Sequence, residues 1–354
     1  MSSVVVEVVE IEKIYPHPNA DKLFLAQIKG WQTVIKKLED GSPQFNVGER
    51  VVYIPPDSTL PKELAERWGV INYLSQRTNI NGERVLVVRR VRLRGEPSYG
   101  FVVDLENPDW AAGMDVKEHY GIGKYEPPIK FKAGDAEQAH SLFNKYTDLE
   151  NLRHFPNVIQ NGEEVIITEK IHGTNSRMGY VDGVLLAGSR GLQRKRPEPD
   201  QLMDNTYWFP STLKPVMSLL DELKEQHKQV ILFGEIYGRR VQRLAYGQKA
   251  GLGYIAFDLH VDGKYLNYDD FKALCDKHKV PSVPLLGRGG YTLDFVRNLS
   301  GGRTTLKDKH IREGVVVKPA KERYHAKIGR VILKYVSDAY LLNKKLTAAD
   351  TTDM

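Results

Sequence analysis

Short runs of apolar and β-branched residues, separated by polar turn residues, fill the first third of the chain. The spacing of these runs predicts a small all-β domain over residues 1–120, built as a barrel or a sandwich. Alternation of apolar and polar positions suits strands that turn one face toward a core. The predicted strands cover residues 4–11, 22–29, 32–37, 49–55 and 84–94.

The last of these predicted strands carries a row of arginines. Arg90, Arg92 and Arg94 lie two positions apart, so on a strand they share one face. Such a face is either a track for nucleic acid or the exposed side of an edge strand, where charge prevents aggregation. The sequence supports the two interpretations equally.

Helical and strand-like patterns alternate in the rest of the chain. A stretch rich in glycine and proline over residues 121–128 begins a predicted linker that extends to residue 134. Helices are predicted over residues 135–145 and 214–229, the second from its apolar residues at helical spacing. Strand-like runs follow these helices. The pattern therefore predicts a domain of mixed helices and strands over residues 135–354.

The single cysteine, Cys275, excludes an internal disulfide and favours a reducing, intracellular compartment. Cys275 and His278 share helical spacing with Phe271 and Leu274, so core packing is a better interpretation than a catalytic pair. No run of about eighteen apolar residues is present, and the N-terminus lacks the basic and apolar parts of a secretory signal. We therefore expect no membrane partner.

The formal net charge is +6 and the sequence pI is about 9.0. A positive balance suits a polyanionic partner, since each contact with a phosphate releases a counterion. The same balance also describes an ordinary basic surface. Charge alone therefore leaves both interpretations open.

The chemically informative segment is EKIHGTNSR, residues 169–177. It follows the β-branched run of residues 165–168, and Gly173 permits a tight turn, so Lys170 is predicted at the end of a strand. A lysine amine attacks an electrophile only when unprotonated, and its ordinary pKa of about 10.4 must fall for this. Nearby cations and burial have that effect. Alone, however, so short a pattern favours an exposed lysine beside a turn.

Four later segments place charged side chains at the ends of apolar runs or inside them. A lysine within an apolar strand is costly unless an anion pairs with it, and a phosphate is such an anion. Each segment alone fits a salt-bridged strand end, but their joint occurrence in this order favours a common function. The segments are FGEIYG at 233–238, AFD at 256–258, EGVVVKP at 313–319 and LKY at 333–335.

The ordered motifs KIHGTN, SRG, FGEIYG, AFDLH, EGVVVKP and LKYV, within residues 146–340, resemble those of covalent nucleotidyltransferases, the polynucleotide ligases and mRNA capping enzymes. DNA ligases and capping enzymes usually carry aspartate where His172 stands and append a further domain, for which residues 337–354 are too few. The segment YPHPNADKL, residues 15–23, resembles the opening of a tRNA-binding OB module. The chain is therefore similar to the ATP-dependent RNA ligases of the Deinococcus and Naegleria type.

This resemblance implies an α+β chain in which an N-terminal OB-fold β-barrel precedes a nucleotidyltransferase domain of antiparallel sheets flanked by helices. It also implies that a monomer joins a 3′-hydroxyl to a 5′-phosphate on RNA, in RNA repair, with ATP and Mg²⁺ or Mn²⁺ as cofactors. The alternatives are a DNA ligase or a GTP-using capping enzyme of the same superfamily, and a non-catalytic tRNA- or RNA-binding protein.

The same resemblance assigns roles to individual residues. Lys170 is the expected nucleophile that takes AMP, and Phe257 is the ring expected to stack on adenine. Glu313 and Glu235 are the expected metal-binding acids. The expected nucleotide-binding residues are Glu169, Ile171, Asn175, Arg177, Ser189, Arg190, Glu235, Phe257, Glu313, Lys318 and Lys334.

The last motif departs from the pattern of some RNA ligases, which carry two lysines separated by one residue. Ile332 stands at the position two before Lys334. The resemblance therefore implies that Lys334 contacts the phosphates alone, or that Lys327 or Arg330 assists it.

Overall fold

The computed structural model describes residues 4–128 and 135–343, which divide into two compact units. The first unit contains residues 4–128 and the short segment 153–156, and the second contains the remaining described residues. Residues 129–134 of the predicted linker lie outside the described residues. Within the described part of the chain, no helix is long and apolar enough to cross a membrane.

The first unit is rich in short strands, as the alternating pattern predicts. Its two helices are α1, Lys62–Arg67, and α2, Lys117–Tyr120. Its strands are β1 Glu7–Glu10, β2 Lys13–Pro16, β3 Leu23–Ile28, β4 Trp31–Lys36, β5 Arg50–Ile54, β6 Ser58–Leu60, β7 Ser75–Thr78, β8 Arg84–Val87, β9 Arg90–Leu93, β10 Glu96–Tyr99, β11 Phe101–Val103 and β12 Gly123–Lys124.

Valine and isoleucine side chains form the core of the first unit. Val8 on β1 and Val52 and Ile54 on β5 are fully buried. Strand β5 is central in its sheet, because it pairs with β1 on one side and with β11 on the other. The start of the predicted linker belongs to this unit as well, since β12 pairs with β6.

The predicted strand over residues 84–94 is wrong as a single element. It divides into β8, which ends at Val87 and pairs with β6 and β7, and β9, which begins at Arg90. Among the described strands, β9 pairs with β10 alone, in a two-stranded sheet. Arg90 and Arg92 are exposed on it, and Arg90 pairs with Asp57 at 2.8 Å.

The second unit combines longer strands with helices and confirms the α+β class. Its helices are α3 Lys214–Lys224, α4 Tyr268–His278, α5 Leu293–Ser300 and α6 Asp338–Leu341. Its strands are β13 Ala136–Glu137, β14 Glu150–Asn151, β15 Glu164–Lys170, β16 Thr174–Val181, β17 Val184–Ser189, β18 Gln193–Arg194, β19 Gln229–Tyr237, β20 Gly253–Val261, β21 Lys264–Tyr265, β22 Leu285–Gly290, β23 Gly314–Pro319, β24 Tyr324–His325, β25 Gly329–Arg330 and β26 Leu333–Val336.

Two sheets dominate this unit. The seven-stranded sheet has the order β13-β18-β17-β16-β19-β20-β21, and all its pairs are antiparallel. The five-stranded sheet has the order β14-β26-β23-β15-β22, in which only β14 and β26 are parallel among the described pairs. Helices α3 and α4 pack together against the seven-stranded sheet, and α5 packs against β23 and β26.

Helix α4 shows why periodicity is reliable for an amphipathic helix. Its buried residues include Phe271 and Cys275, one turn apart. Burial raises the pKa of the Cys275 thiol to about 12, which keeps the thiol neutral. His278 hydrogen bonds to the Ser218 hydroxyl at 2.9 Å rather than to Cys275. The prediction of a core face, and not a catalytic pair, is confirmed.

The predicted helix over residues 135–145 is wrong. Strand β13 occupies its start and pairs with β18 at the edge of the seven-stranded sheet. The backbone N–H of His140 then donates to the side chain of Gln193 at 2.8 Å, so it makes no helical bond. Pairing with the sheet edge therefore outweighs the modest helical propensity of this segment.

Candidate active site

Lys170 is the last residue of β15, as predicted, and lies opposite Gly314 of β23. Its side chain is almost completely buried, and its Nζ atom lies 2.6 Å from Oε1 of Glu313, which is fully buried. A buried ion pair loses the hydration of two charges, so it is weak support for stability on its own. A role in a reaction at the strand end therefore explains this buried lysine–carboxylate pair better than a role in stability.

The close approach of β23 and β26 depends on Gly314, the residue after Glu313. A Cβ atom on Gly314 would lie 2.3 Å from the carbonyl oxygen of Tyr335, far inside van der Waals contact. Any other residue would push these strands apart and move Glu313 with them. The glycine of the EGVVVKP motif therefore has a packing role beside the acid.

His172 lies beside Glu313 of this pair and is also buried. Its Nδ1 atom is 3.5 Å from Oε2 of Glu313 and 3.3 Å from the hydroxyl of Tyr340. Its backbone N–H donates to the hydroxyl of Tyr246 at 2.8 Å. Both oxygens of Glu313 thus face groups of the KIHG segment, which fixes the carboxylate between Lys170 and His172.

Three predicted lysines share one face of the five-stranded sheet. Residues that lie opposite each other in antiparallel strands point to the same side, and side chains alternate along each strand. Lys170 is opposite Gly314, and Lys334 is opposite Val316, so both share the face of Val316 and Lys318. Lys318 lies four positions beyond Gly314, roughly 13 Å along the strand from the Lys170 level.

The predicted residues of the seven-stranded sheet also share a face. Asn175 is opposite Glu235, and Arg177 is opposite Phe233, in the register of β16 and β19. Phe233 belongs to the apolar cluster that Val316 of the other sheet joins. The inner faces of the two sheets therefore meet at this cluster, with lysines on one side and Asn175 and Glu235 on the other.

Phe257 occupies a β-bulge between β19 and β20. Phe233 is opposite Asp258, and Gly234 is opposite Ala256, so Phe257 is the extra residue. A bulge bends the strand and redirects the side chain at that point. The ring of Phe257 packs in the same apolar cluster and is half-buried there. A partly exposed aromatic ring between the two inner faces is suited to stacking on a planar group.

Lys318 lies in a buried ionic network, an arrangement that its motif does not predict. Its Nζ atom is 3.3 Å from Asp258 and 2.8 Å from Glu322. Arg330 donates to the same two acids, at 2.6 Å to Asp258 and 2.7 Å to Glu322. Burial alone would raise the pKa of Asp258, but the charges of Lys318 and Arg330 outweigh it and hold the pKa below its usual range.

The arginines of the KIHGTNSR and SRG motifs lie in different surroundings. The Arg177 guanidinium is fully buried and donates to the carbonyls of Ser189, at 2.9 Å, and Phe143. Burial lowers its pKa to about 10. The Arg190 side chain is one-third exposed and pairs with Asp148. The geometry thus gives Arg177 a role in holding backbone segments together, while Arg190 stays near solvent.

Glu169 and Ile171 flank Lys170 but do not share its face. Neighbouring residues of a strand point to opposite sides, so Glu169 points away from the inner face. Its Oε2 atom accepts hydrogen bonds from the backbone N–H and the hydroxyl of Thr305, at 2.9 Å and 2.6 Å. Ile171 is buried directly after the strand. Both residues thus support the strand end from the side away from the lysines.

Sequence reasoning missed Glu322 and Tyr246, which contact the predicted site residues directly. Neither lies in a recognisable motif, and each contact joins segments far apart in the chain. Among the described residues, no group of three or more His, Cys, Asp or Glu side chains is arranged to hold a metal ion by itself. Glu313 and Glu235 supply carboxylate oxygens on two different sheets.

The second unit thus has two facing sheets, with a buried lysine at the end of one strand and an acid directly before the neighbouring strand. Residues 163–336 match the RNA ligase family model, and residues 5–105 match a model described as an OB-fold domain. The segment that matches the RNA ligase model contains Lys170, Glu235, Glu313 and Lys334. No curated protein matches the chain.

Solved structures of one protein resemble the chain along nearly its whole length. Naegleria gruberi RNA ligase with PPi is 24% identical, with a TM-score of 0.74, over 98% of this chain and 99% of that chain. A variant of the same Naegleria gruberi ligase with ATP and Mn is also 24% identical, with a TM-score of 0.74, over 95% and 98%. At this identity, the likeness shows the shared fold and confirms the order of the two domains.

Proposed function

We propose that this protein is an ATP-dependent RNA ligase that forms phosphodiester bonds through a lysine–AMP intermediate on Lys170. The observation that carries the proposal is the buried pair of Lys170 Nζ and Glu313 Oε1 at 2.6 Å. The RNA ligase family match and the fold shared with a ligase crystallised with ATP and Mn support it. Every residue named for the site lies in the second unit of one chain, so we propose action as a monomer.

In the first step, the Lys170 amine attacks the α-phosphorus of ATP. A nitrogen–phosphorus bond forms, the bond between the α-phosphorus and its bridging oxygen breaks, and pyrophosphate leaves. The amine must lose a proton, and Oε1 of Glu313 lies within hydrogen-bonding distance to accept it. Phosphoryl transfer depends mainly on alignment and charge neutralisation, which fixed lysines on one sheet face provide.

The inner faces of the two sheets define the nucleotide site. We propose that the half-buried ring of Phe257 stacks on adenine, while Asn175 and Glu235 contact the ribose from the facing strand pair. Lys334 shares the face of Lys170 and reaches the phosphates from β26, which is separated from β15 by β23. Lys318 is held by Asp258 and Glu322, so we assign it to the support of this face rather than to direct phosphate binding.

The acids of the site fit a divalent cation of the Mg²⁺ or Mn²⁺ type. Carboxylate oxygens are the ligands these hard ions prefer, and Glu313 and Glu235 provide them. Phosphate and water oxygens would supply the remaining ligands of an ion held by these two acids, as is usual for Mg²⁺ at phosphate sites. A bound ion would neutralise charge on the α-phosphate.

The later steps complete the joining of RNA ends. An oxygen of the RNA 5′-phosphate attacks the AMP phosphorus, so the nitrogen–phosphorus bond breaks and Lys170 is released as an amine. A 3′-hydroxyl then attacks the activated 5′-phosphate, a phosphodiester forms and AMP leaves. Because this reaction seals broken RNA, we propose a role in RNA repair.

The decisive experiment is incubation of the protein with α-labelled ATP and Mn²⁺ or Mg²⁺, followed by a denaturing gel. Wild type should retain covalent label. Lys170→Ala should not, because it lacks the amine, and Lys170→Arg should not, because a guanidinium stays protonated. Lys264→Ala, at an exposed lysine of β21, is the matched control and should label normally. Label that survives Lys170→Ala, or no label on wild type, refutes the proposal.

The substrate arm of the same experiment separates the related activities. A nick with a 3′-hydroxyl on RNA should be sealed faster than the same nick with a 3′-hydroxyl on DNA. Labelling with GTP in place of ATP should fail. A protein that binds RNA without consuming ATP would give neither label nor sealed product, which identifies a non-catalytic RNA-binding protein.

A further inference from the structure

Two loops of the second unit pack against each other beside the end of β15. One covers residues 238–252, between β19 and β20, and the other covers residues 301–312, between α5 and β23. The rings of Tyr246 and His310 contact each other, with centroids 4.5 Å apart. The backbone N–H of Gly247 donates to Asp308 at 3.4 Å. We call residues 238–252 and 301–312 together the basic loop pair.

The basic loop pair carries an excess of exposed positive charge. Residues 238–252 contain no acid, and residues 301–312 contain only Asp308. Among the exposed cations of the two loops, only Arg240 forms an ion pair with another described residue, namely Asp204 at 3.0 Å. The exposed cations of the two loops that form no ion pair with another described residue are Arg239, Arg243, Lys249, Arg303, Lys307 and Lys309.

The basic loop pair is anchored to one residue on each side of Lys170 in the chain, Glu169 before it and His172 after it. The hydroxyl of Tyr246 accepts the backbone N–H of His172, at the far side of the KIHG turn. Thr305 donates twice to Glu169, the residue before Lys170. Each loop is therefore fixed to the strand end by a hydrogen bond. The basic loop pair therefore adjoins the strand end that carries Lys170.

We propose that the basic loop pair binds the sugar–phosphate backbone of the RNA beside the break. The inference rests on the proposed function and names the surface that holds the substrate. Six cations without ion pairs, spread over two loops, suit a chain of phosphates, because each neutralised phosphate releases a counterion. Lysine and arginine contacts to phosphates position a strand without reading its sequence. The triphosphate of ATP is the other source of phosphate, and the test separates the two.

The test compares two triple variants with equal loss of charge. Binding of a nicked RNA duplex with a 5′-phosphate is measured over a series of salt concentrations, and lysine labelling by α-labelled ATP is measured in parallel. The loop variant combines Arg243→Gln, Lys307→Gln and Lys309→Gln. The matched control combines Lys214→Gln, Lys228→Gln and Lys264→Gln, exposed lysines elsewhere in the same unit.

The loop variant should bind the RNA at least about tenfold more weakly, and its plot of log Kd against log salt should flatten by about 2, since each phosphate contact contributes roughly 0.7–0.9. Its labelling by ATP should match wild type, and the control triple should change neither measurement. Equal effects of the two triples, or a higher ATP requirement with unchanged RNA binding, would overturn the inference. Absence of label on wild type would instead refute the ligase proposal.

A loop variant that also loses labelling is resolved by the single substitutions. Lys307→Gln and Lys309→Gln each remove one exposed cation and leave the Tyr246 and Thr305 anchors intact. Each should flatten the salt dependence by roughly 0.7–0.9 while labelling stays at the wild-type level. Single variants that label normally and keep the wild-type salt dependence contradict the inference.

Discussion

The Nζ atom of Lys170 lies 2.6 Å from Oε1 of Glu313, although the two residues are 143 positions apart in the chain. Antiparallel pairing of β15 with β23 produces this contact, since the register brings Lys170 opposite Gly314. The end of one strand and the start of its neighbour thus present an amine and a carboxylate at the same level. This geometry makes Glu313 the first residue to test after the lysine itself.

Glu313→Gln should slow formation of the lysine–AMP bond by about 10²–10⁴-fold, the usual contribution of a positioned acid–base group. Glutamine keeps the volume of the side chain, but its amide does not take the proton of the Lys170 amine. Single-turnover labelling with α-labelled ATP measures the rate. Glu225→Gln, at an exposed acid, serves as the control. A Glu313→Gln protein that labels at the wild-type rate contradicts this role.

Phe257→Ala should raise the ATP concentration needed for half-maximal labelling by about tenfold, because stacking on a base is worth roughly 1–3 kcal/mol. Phe257→Trp should retain most of the affinity, since it keeps a planar ring at the bulge. The measurement is initial labelling rate against ATP concentration. If the alanine variant has the ATP dependence of wild type, the ring of Phe257 packs in the apolar core and does not bind adenine.

The parts of the site that local sequence determines were predictable. The β-branched run before Lys170 and the glycine after it are enough to predict a strand end, and β15 ends at Lys170. Periodic spacing likewise predicts α4, because an amphipathic helix needs its apolar residues on one side. The register that joins Lys170 to Glu313 follows from pairing between distant strands, which the motif order suggests but does not specify.

Other features depend on contacts that no local pattern encodes. The pairing of Lys318 with Asp258 and Glu322 requires three segments to meet in the core. The bulge at Phe257 arises from a one-residue mismatch between β19 and β20 and leaves no mark in either strand alone. Residues 84–94 look like one strand because β-branched residues recur through the run, yet its first part pairs with β6 and β7 and its last part pairs with β10 in another sheet.

Lys318→Met should destabilise the protein more than it weakens ATP binding. Removal of one partner from a buried ionic network costs about 3–5 kcal/mol, because the remaining acids lose a compensating charge. Thermal unfolding should therefore shift down by roughly 6 °C or more. Lys321→Met, at a neighbouring exposed lysine, is the control. A strongly raised ATP requirement with unchanged thermal stability would assign Lys318 to phosphate binding instead.

The same network predicts a pH dependence centred on Asp258. Its pKa in the folded protein is held below the usual value of about 4 by Lys318 and Arg330, despite the opposing effect of burial. The stabilisation from the charged carboxylate is then complete above about pH 4 and is lost as the pH falls further.

The melting temperatures of wild type and Asp258→Asn, measured from pH 7 to pH 3, test this dependence. Wild type should melt higher by a constant margin down to about pH 5. The margin should shrink below about pH 4, where Asp258 becomes protonated in the unfolded chain and then in the folded one. A margin that stays constant to pH 3 would show that the charge of Asp258 does not stabilise the fold.

Tyr246→Phe should weaken the site without touching any charged group. The variant leaves the buried backbone N–H of His172 without the hydroxyl that accepts it at 2.8 Å, at a cost of about 1–3 kcal/mol. His172 lies 3.5 Å from Glu313, so a shift of the KIHG turn moves the carboxylate that faces Lys170. We expect both a lower melting temperature and slower labelling.

The control for Tyr246→Phe is Tyr180→Phe, which removes a hydroxyl that donates to Asp221 at 2.9 Å on a half-buried side chain of the same unit. It should label at the wild-type rate, because the hydroxyl that it removes bonds to Asp221 of α3 and not to the KIHG turn. If Tyr246→Phe labels and melts as wild type does, the loop hydroxyl does not fix the turn. If only its melting temperature falls, the contact holds the loop but not the carboxylate, because a displaced Glu313 would slow the first chemical step.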